Sequence, residues 1–225
     1  MIHLKDKTIA EIVSEDIGTA SIFKKYQLDF CCGGGTTVEN ACKKAKIDLN
    51  TVIKDLETDR RSNTAVSHSF KDWSAEFLAD YIVNVHHNYV LENLGVINEF
   101  ASKVVGVHGQ HAPETIRISK LFSELATELR SHLDKEEQLL FPEIKKKAKE
   151  GDYRINQEIL SLLEDEHDQA GSIIKEIQQL SNDFTPPEWA CNTYKALYHK
   201  LDEFISDLYQ HIHLENNILF HKLKE

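Results

Sequence analysis

The sequence predicts an all-α protein, an up-down-up-down four-helix bundle preceded by a small helical domain, and three observations carry that prediction. Apolar residues recur at steps of three and four along four long segments, the period of a helix with one buried face. Asp, Glu, Lys and Arg make up 28% of the 225 residues and prolines number only 4, a composition suited to long solvated helices. The breaks between segments are short and marked by Gly or Pro, so consecutive helices should lie antiparallel.

Residues 1–60 read as a domain of short helices. Ile9, Ile12 and Val13 begin one, Ala20, Ile22, Phe23 and Tyr26 another, and Asp29-Phe30-Cys31-Cys32-Gly33-Gly34-Gly35 interrupts the pattern. Helix should resume at Thr36, which has capping-box spacing to Glu39, and a last helix should start near Leu49. A piece this small is expected to dock on something larger. The stretch 61–73 lacks apolar periodicity and reads as a linker, and 74–225 forms the bundle. Its helices are expected at about 74–107, 113–150, 153–182 and 187–223. Pro113 suits a first helical turn, Gly151 a stop, and Pro186-Pro187 separates the last two helices. Pro142 should kink or end the second.

The apolar stripes carry polar interruptions. Ile118, Phe122, Leu125 and Leu129 step onward to His132, Glu136 and Leu139, so an imidazole and a carboxylate hold core positions one turn apart. Leu201, Phe204 and Leu208 lead in the same way to His211, Glu215 and Ile218. His167 interrupts the stripe of Leu160, Leu163, Ala170, Ile174 and Ile177. In the first helix, Ala75, Ala79 and Ile82 lead to His86 and Tyr89; His86 keeps that register and its neighbour His87 does not. Burying such groups without partners is costly, and a metal is the simplest compensation. Four imidazoles and two carboxylates exceed what one ion can use. Two metals, each with two imidazoles and both carboxylates bridging, account for all six. Nitrogen-rich ligation points away from magnesium and calcium and toward iron, with manganese and zinc as the lesser alternatives that ligand softness alone does not exclude. Ferritin-like sites need Glu-x-x-His twice, and here it occurs once, at Glu164 and His167.

The net charge of −11 disfavours nucleic acid or an anionic membrane as a main partner. No apolar run approaches the roughly 20 residues of a membrane span, and the first residues lack the apolar stretch of a secretion signal. A cytoplasmic location is therefore expected, with the four cysteines reduced and none in a C-x-x-C pair.

Asp29-Phe30-Cys31-Cys32-Gly33-Gly34, His132 to Pro142, Glu166-His167-Asp168-Gln169-Ala170-Gly171 and His211-Ile212-His213-Leu214-Glu215-Asn216-Asn217 carry a resemblance spanning nearly the whole chain. It resembles the repair-of-iron-centres proteins (ScdA/YtfE type), di-iron proteins with a C-terminal hemerythrin-like domain. The resemblance implies two iron ions held by His86, His132, Glu136, His167, His211 and Glu215, with Glu136 and Glu215 bridging beside an oxo or hydroxo group. It also implies repair, by iron donation, of iron–sulfur clusters damaged by nitrosative or oxidative stress, with damaged iron–sulfur proteins as partners and a homodimer as the assembly. Reduction of nitric oxide or peroxide at open metal positions is the alternative, and reversible oxygen binding or sensing a third reading. An oxygen-carrying hemerythrin would have a further His where Gly171 stands, and His221 replaces a proline the family tends to have.

The remaining residues receive plainer expectations. Cys31 and Cys32, in a Gly-rich loop ahead of a helix N-terminus, are expected to be reactive thiols, and the glycines to give that loop freedom to swing. Glu166 is a candidate to support a ligand or relay protons, whereas Glu137 lies off the buried face. His3, His68, His199 and His213 read as surface residues and His108 and His111 as solvated loop residues, while packing accounts for Cys42 and Cys191.

Overall fold

The structure is a computed structural model that describes residues 4–62, 69–151 and 155–224. Four short helices come first, α1 (Ile9–Glu15), α2 (Ala20–Lys25), α3 (Val38–Ala45) and α4 (Leu49–Ser62). Four long helices follow. The first comprises α5 (Ala75–Ile82), a π turn at Val83–His87 and α6 (Asn88–His108). The second comprises α7 (Glu114–Lys135), a π turn at Glu136–Leu140 and α8 (Phe141–Glu150). The third is α9 (Gln157–Leu180). The fourth comprises α10 (Asn192–Leu214), a π turn at Glu215–Leu219 and α11 (Phe220–Lys224). No strand occurs among the described residues, where the sole β feature is an isolated bridge between Thr8 and Thr37. Among the described residues no helix is long and apolar enough to cross a membrane. The fold is thus a hemerythrin-like helical bundle with a small N-terminal helical part.

Of the expected linker, residues 63–68 lie outside the described residues, as do His3, His68 and the expected start of the third helix at 153. Phe70–Asp72 forms a single 3-10 turn. The capping box appears two helices earlier than expected, at α1 instead of α3. Thr8 Oγ1 accepts from Glu11 N at 3.1 Å while Thr8 N donates to Glu11 Oε2 at 2.8 Å, and Thr37 rather than Thr36 caps α3. Pro142 does not end its helix. It sits in the first turn of α8 just after a π turn, where the regular ladder is already interrupted. Pro187 opens only one turn, closed by Ala190 N on its carbonyl at 2.9 Å, so the fourth helix starts at Asn192.

Contacts divide the chain into two compact units, Met1–Leu78 with Tyr209–Glu225, and Ala79–Leu208. In the second, ion pairs establish the helix directions. Arg117 meets Glu176 at 2.7 Å, and His132 meets Glu166 at 2.8 Å, so α7 and α9 run antiparallel. Asp80 with Lys145, and His87 with Glu137, do the same for the first and second helices. His86 with Asp207, and His108 with Cys191, join opposite ends of the first and fourth. The interior between these pairs is apolar. Phe122 and Phe204, both fully buried, meet edge to face at 5.4 Å between ring centres.

In the first unit, Ile12, Val13, Phe23, Val38, Val52 and Leu56 are fully buried in one core, against which Tyr209 packs. Each such side chain contributes roughly 1.5–3 kcal/mol by leaving water. The final helix is therefore part of the core that the short helices share. His213, expected at the surface, is buried here, and the reason is the loop at 29–35. The imidazole donates from Nδ1 to Phe30 O at 3.0 Å and its Nε2 accepts from Ser14 Oγ at 3.2 Å. Burial pushes its pKa down to about 4, so it stays neutral. Asn217 adds a bond from Nδ2 to Cys31 O at 2.9 Å. His213→Ala should strip Phe30 O and Ser14 Oγ of a buried partner and cost about 1–3 kcal/mol. Hydrogen exchange should then accelerate in residues 27–36 more than in α7; equal protection in both proteins would contradict this role.

Candidate metal centre

The three π turns explain which side chains face inward. In a π turn one extra residue enters the helix, so everything beyond it rotates by about one position relative to an unbroken α-helix. At Val83–His87 the N–H of Asn88 reaches back to Val83 O, five residues away. Phe141 N and Phe220 N likewise reach Glu136 O and Glu215 O. The sequence register assumed regular helix, and it slips beyond the first two turns, whereas after the third the expected Ile218 is buried together with Leu219. Leu140 is buried where Leu139 was expected, and Leu139 is 48% exposed; Val90 is buried, whereas Tyr89 is only half-buried.

The same rotation separates His86 from His87. The regular register picked His86, but its Nδ1 lies 3.0 Å from Asp207 Oδ1, whereas His87 Nε2 lies 3.3 Å from Glu136 Oε2. His87 is thus the residue brought to the buried carboxylate. A signal was present in the adjacent His pair, but no apolar pattern in the sequence marks a π turn.

Within the second unit, His87, His132, Glu136 and His167 form a buried cluster. Glu136 is fully buried, with His132 Nε2 3.4 Å from its Oε1, and the Nε2 atoms of His132 and His167 are 2.9 Å apart. The ligand atoms of His132, Glu136 and His167 lie within 4.8 Å of one another, as do those of His87 and Glu136. In the first unit, His211 Nε2 lies 3.0 Å from Glu215 Oε1, and both residues are buried.

The outer nitrogens decide what the inner ones offer. His87 Nδ1 faces Glu137 Oε1 at 2.8 Å, so Glu137, expected off the buried face, supports an imidazole from behind. His132 Nδ1 faces Glu166 Oε2, also at 2.8 Å, and Lys135 pairs with the other oxygen of Glu166. Burial pushes the Glu166 carboxyl up, but hydrogen bonds from Lys135 and His132 outweigh it and hold the group below its ordinary range. With Nδ1–H donating to a carboxylate, a neutral imidazole turns a bare Nε2 lone pair inward. Those of His87 and His132 then point at Glu136, and at most one proton can lie between His132 and His167. Electron pairs facing carboxylate oxygens repel at this distance unless a cation lies among them. The donor set fits a metal, and the fit follows from tautomer and burial together.

The cysteine loop is arranged differently from expectation. Cys31 is buried, its Sγ 3.3 Å from Asp29 Oδ1 and 3.8 Å from Cys32 Sγ. Hydrogen bonding with Cys32, burial and the Asp29 charge push its thiol well above the ordinary value. The Cys32 contact, burial and the Asp29 charge all favour the protonated thiol at Cys31. Cys32 is half-buried, and Asn216 Nδ2 stands 3.9 Å from its sulfur. Gly34 supplies room and not swing, because a Cβ there would meet Phe30 O at 2.6 Å and Ala10 Cβ at 2.9 Å.

Comparison with known proteins places the chain in a family of cation-binding proteins. Residues 5–60 match ScdA_N, described as a domain of unknown function, and residues 78–223 match the hemerythrin HHE cation-binding domain. A probable iron-sulfur cluster repair protein of Haemophilus influenzae is 39% identical over 94% of each chain. Iron-sulfur cluster repair protein YtfE of Escherichia coli is 35% identical over 96% of each. ScdA of Staphylococcus haemolyticus, named in the same way, is 30% identical over 96% of this chain and 97% of its own. The chain belongs to the hemerythrin HHE cation-binding family, in the group that joins this bundle to an ScdA_N domain.

Proposed function

We propose that this chain is a di-iron protein that restores iron–sulfur clusters damaged by nitrosative or oxidative stress, acting as a source of iron. The observation that carries this reading is the buried donor set, with a fully buried Glu136 between imidazoles whose outer nitrogens are already engaged. The names of the relatives, iron-sulfur cluster repair proteins, supply the physiological setting. The proposed ligands are His87, His132, His167 and His211, with Glu136 and Glu215 shared between two irons. His87 replaces the residue that the regular register selected. On the same reading the partners are damaged iron–sulfur proteins, nitric oxide is a small ligand, and the protein works in the cytoplasm as a homodimer.

Bound there, iron would supply a redox-active cation that can be handed on. The side chains do the holding. Glu137 and Glu166 keep the proton of each imidazole on Nδ1, which leaves Nε2 bare, and Lys135 fixes Glu166 in place. A proton arriving at either Nε2 would withdraw that lone pair and loosen the grip, so the same atoms that retain a cation can release it.

Variants separate the ligand set from its surroundings. His87→Ala and Glu136→Ala should lower iron content to about half or less, whereas His86→Ala should leave stoichiometry unchanged, as read by metal analysis. Glu166→Gln should weaken metal affinity by about 10–100-fold. The reverse order for the two histidines would refute the shifted register. For the repair role, the loaded protein mixed with an apo iron–sulfur protein should rebuild its cluster faster than the same amount of free ferrous iron. Equal rates would remove the donor function while leaving the metal site standing.

A further inference from the structure

Where α6 stops and α10 starts, Cys191 and His108 stand together, and neither belongs to the donor set above. His108 is the last residue of α6, and its Nε2 lies 3.2 Å from Cys191 Sγ. Cys191 immediately precedes α10, and its carbonyl accepts from Lys195 N at 3.0 Å, so it caps a helix of 23 residues. The thiol is exposed, which removes packing as its explanation. Trp189 and Tyr194 stand beside the imidazole, with ring centres 5.7 and 5.5 Å away.

These features favour one charge distribution. Passing the proton from Sγ to Nε2 puts negative charge at the positive end of α10 and positive charge at the negative end of α6. The aromatic neighbours favour a cation on the ring they flank. A thiol and an imidazole on two antiparallel helices are thus placed where both helix ends assist the same transfer. The other described cysteines differ: Cys31 and Cys42 are buried, and the sulfur of Cys32 stands beside Cys31 Sγ and Asn216 Nδ2.

We propose that Cys191 is a redox-modifiable nucleophile, activated by His108, and that its substrate is a small hydroperoxide. In the step, His108 Nε2 takes the thiol proton and Cys191 Sγ attacks one oxygen of hydrogen peroxide. An S–O bond forms as the O–O bond breaks. Sulfur loses two electrons and the peroxide gains them. The departing hydroxide takes the proton from the imidazolium and leaves as water, so thiol and peroxide become sulfenic acid and water. This inference is independent of the metal reading, since neither residue is among the proposed ligands.

The test uses the full chain as isolated, with each cysteine followed by peptide mass spectrometry. Iodoacetamide should alkylate Cys191 about tenfold faster than Cys32, and after sub-stoichiometric hydrogen peroxide the first dimedone adduct should appear on Cys191. His108→Phe and His108→Asn should each slow Cys191 about tenfold relative to Cys32 in the same sample, with iron content and helical circular dichroism unchanged. Unaltered Cys191 rates in both variants, or first adducts on Cys32, would overturn the proposal. Should both variants unfold, the wild-type pH profile decides. A Cys191 rate that falls about tenfold per pH unit below pH 8, as for an unassisted thiol, rejects activation, and a shallower fall supports it.

Discussion

The centre of this protein depends on one buried carboxylate and the imidazoles turned toward it. Glu136 has no exposed surface, and the nitrogens that approach it belong to rings whose other nitrogen is engaged by an outer acid. A carboxylate so placed is costly to keep charged unless positive charge is near. Glu137 and Glu166, though themselves negative, make the arrangement suited to a metal by dictating which nitrogen is bare. Lys135 keeps one of these outer acids ionised against the cost of its own burial. The layers are therefore coupled outward from the buried carboxylate through imidazole and acid to lysine.

The helices accommodate this polar interior by π turns. His132-x-x-x-Glu136 and His211-x-x-x-Glu215 each run directly into one, and His87 ends a third. In each case the extra residue lets a polar side chain hold an inward position, and beyond the first two turns the apolar stripe resumes shifted by one. Leu140 and Val90 take up the stripe where Leu139 and Tyr89 would have carried it in a regular helix. Irregularity is thus confined to the turns that carry the donor residues, and the apolar interior elsewhere remains ordinary helix packing.

The cysteines show how position outweighs motif. Two adjacent thiols in a Gly-rich loop look reactive in sequence, yet the loop is clamped by His213 and Asn217, and the Cys32 contact, burial and the Asp29 charge favour the thiol form of Cys31. An isolated cysteine with no surrounding motif lies instead at a helix end beside an imidazole 83 positions away. Sequence neighbours indicate which residues share a loop, but the protonation of a thiol depends on whatever charges the fold brings within a few ångströms.

By itself the sequence determined the helical class, the segmentation into short and long helices and the His132, Glu136, His211, Glu215 spacing, because these follow from a period that neighbouring residues impose on one another. It also distinguished this imidazole-rich donor set from the paired Glu-x-x-His pattern of a ferritin-like site. Only tertiary structure set His87 beside Glu136 and His86 beside Asp207, buried His213, gave Glu137 its partner and paired His108 with Cys191. Two reasons cover the four. A π turn changes register without altering the residues that flank it, and the remaining contacts join positions far apart in the chain, where helical periodicity carries no information.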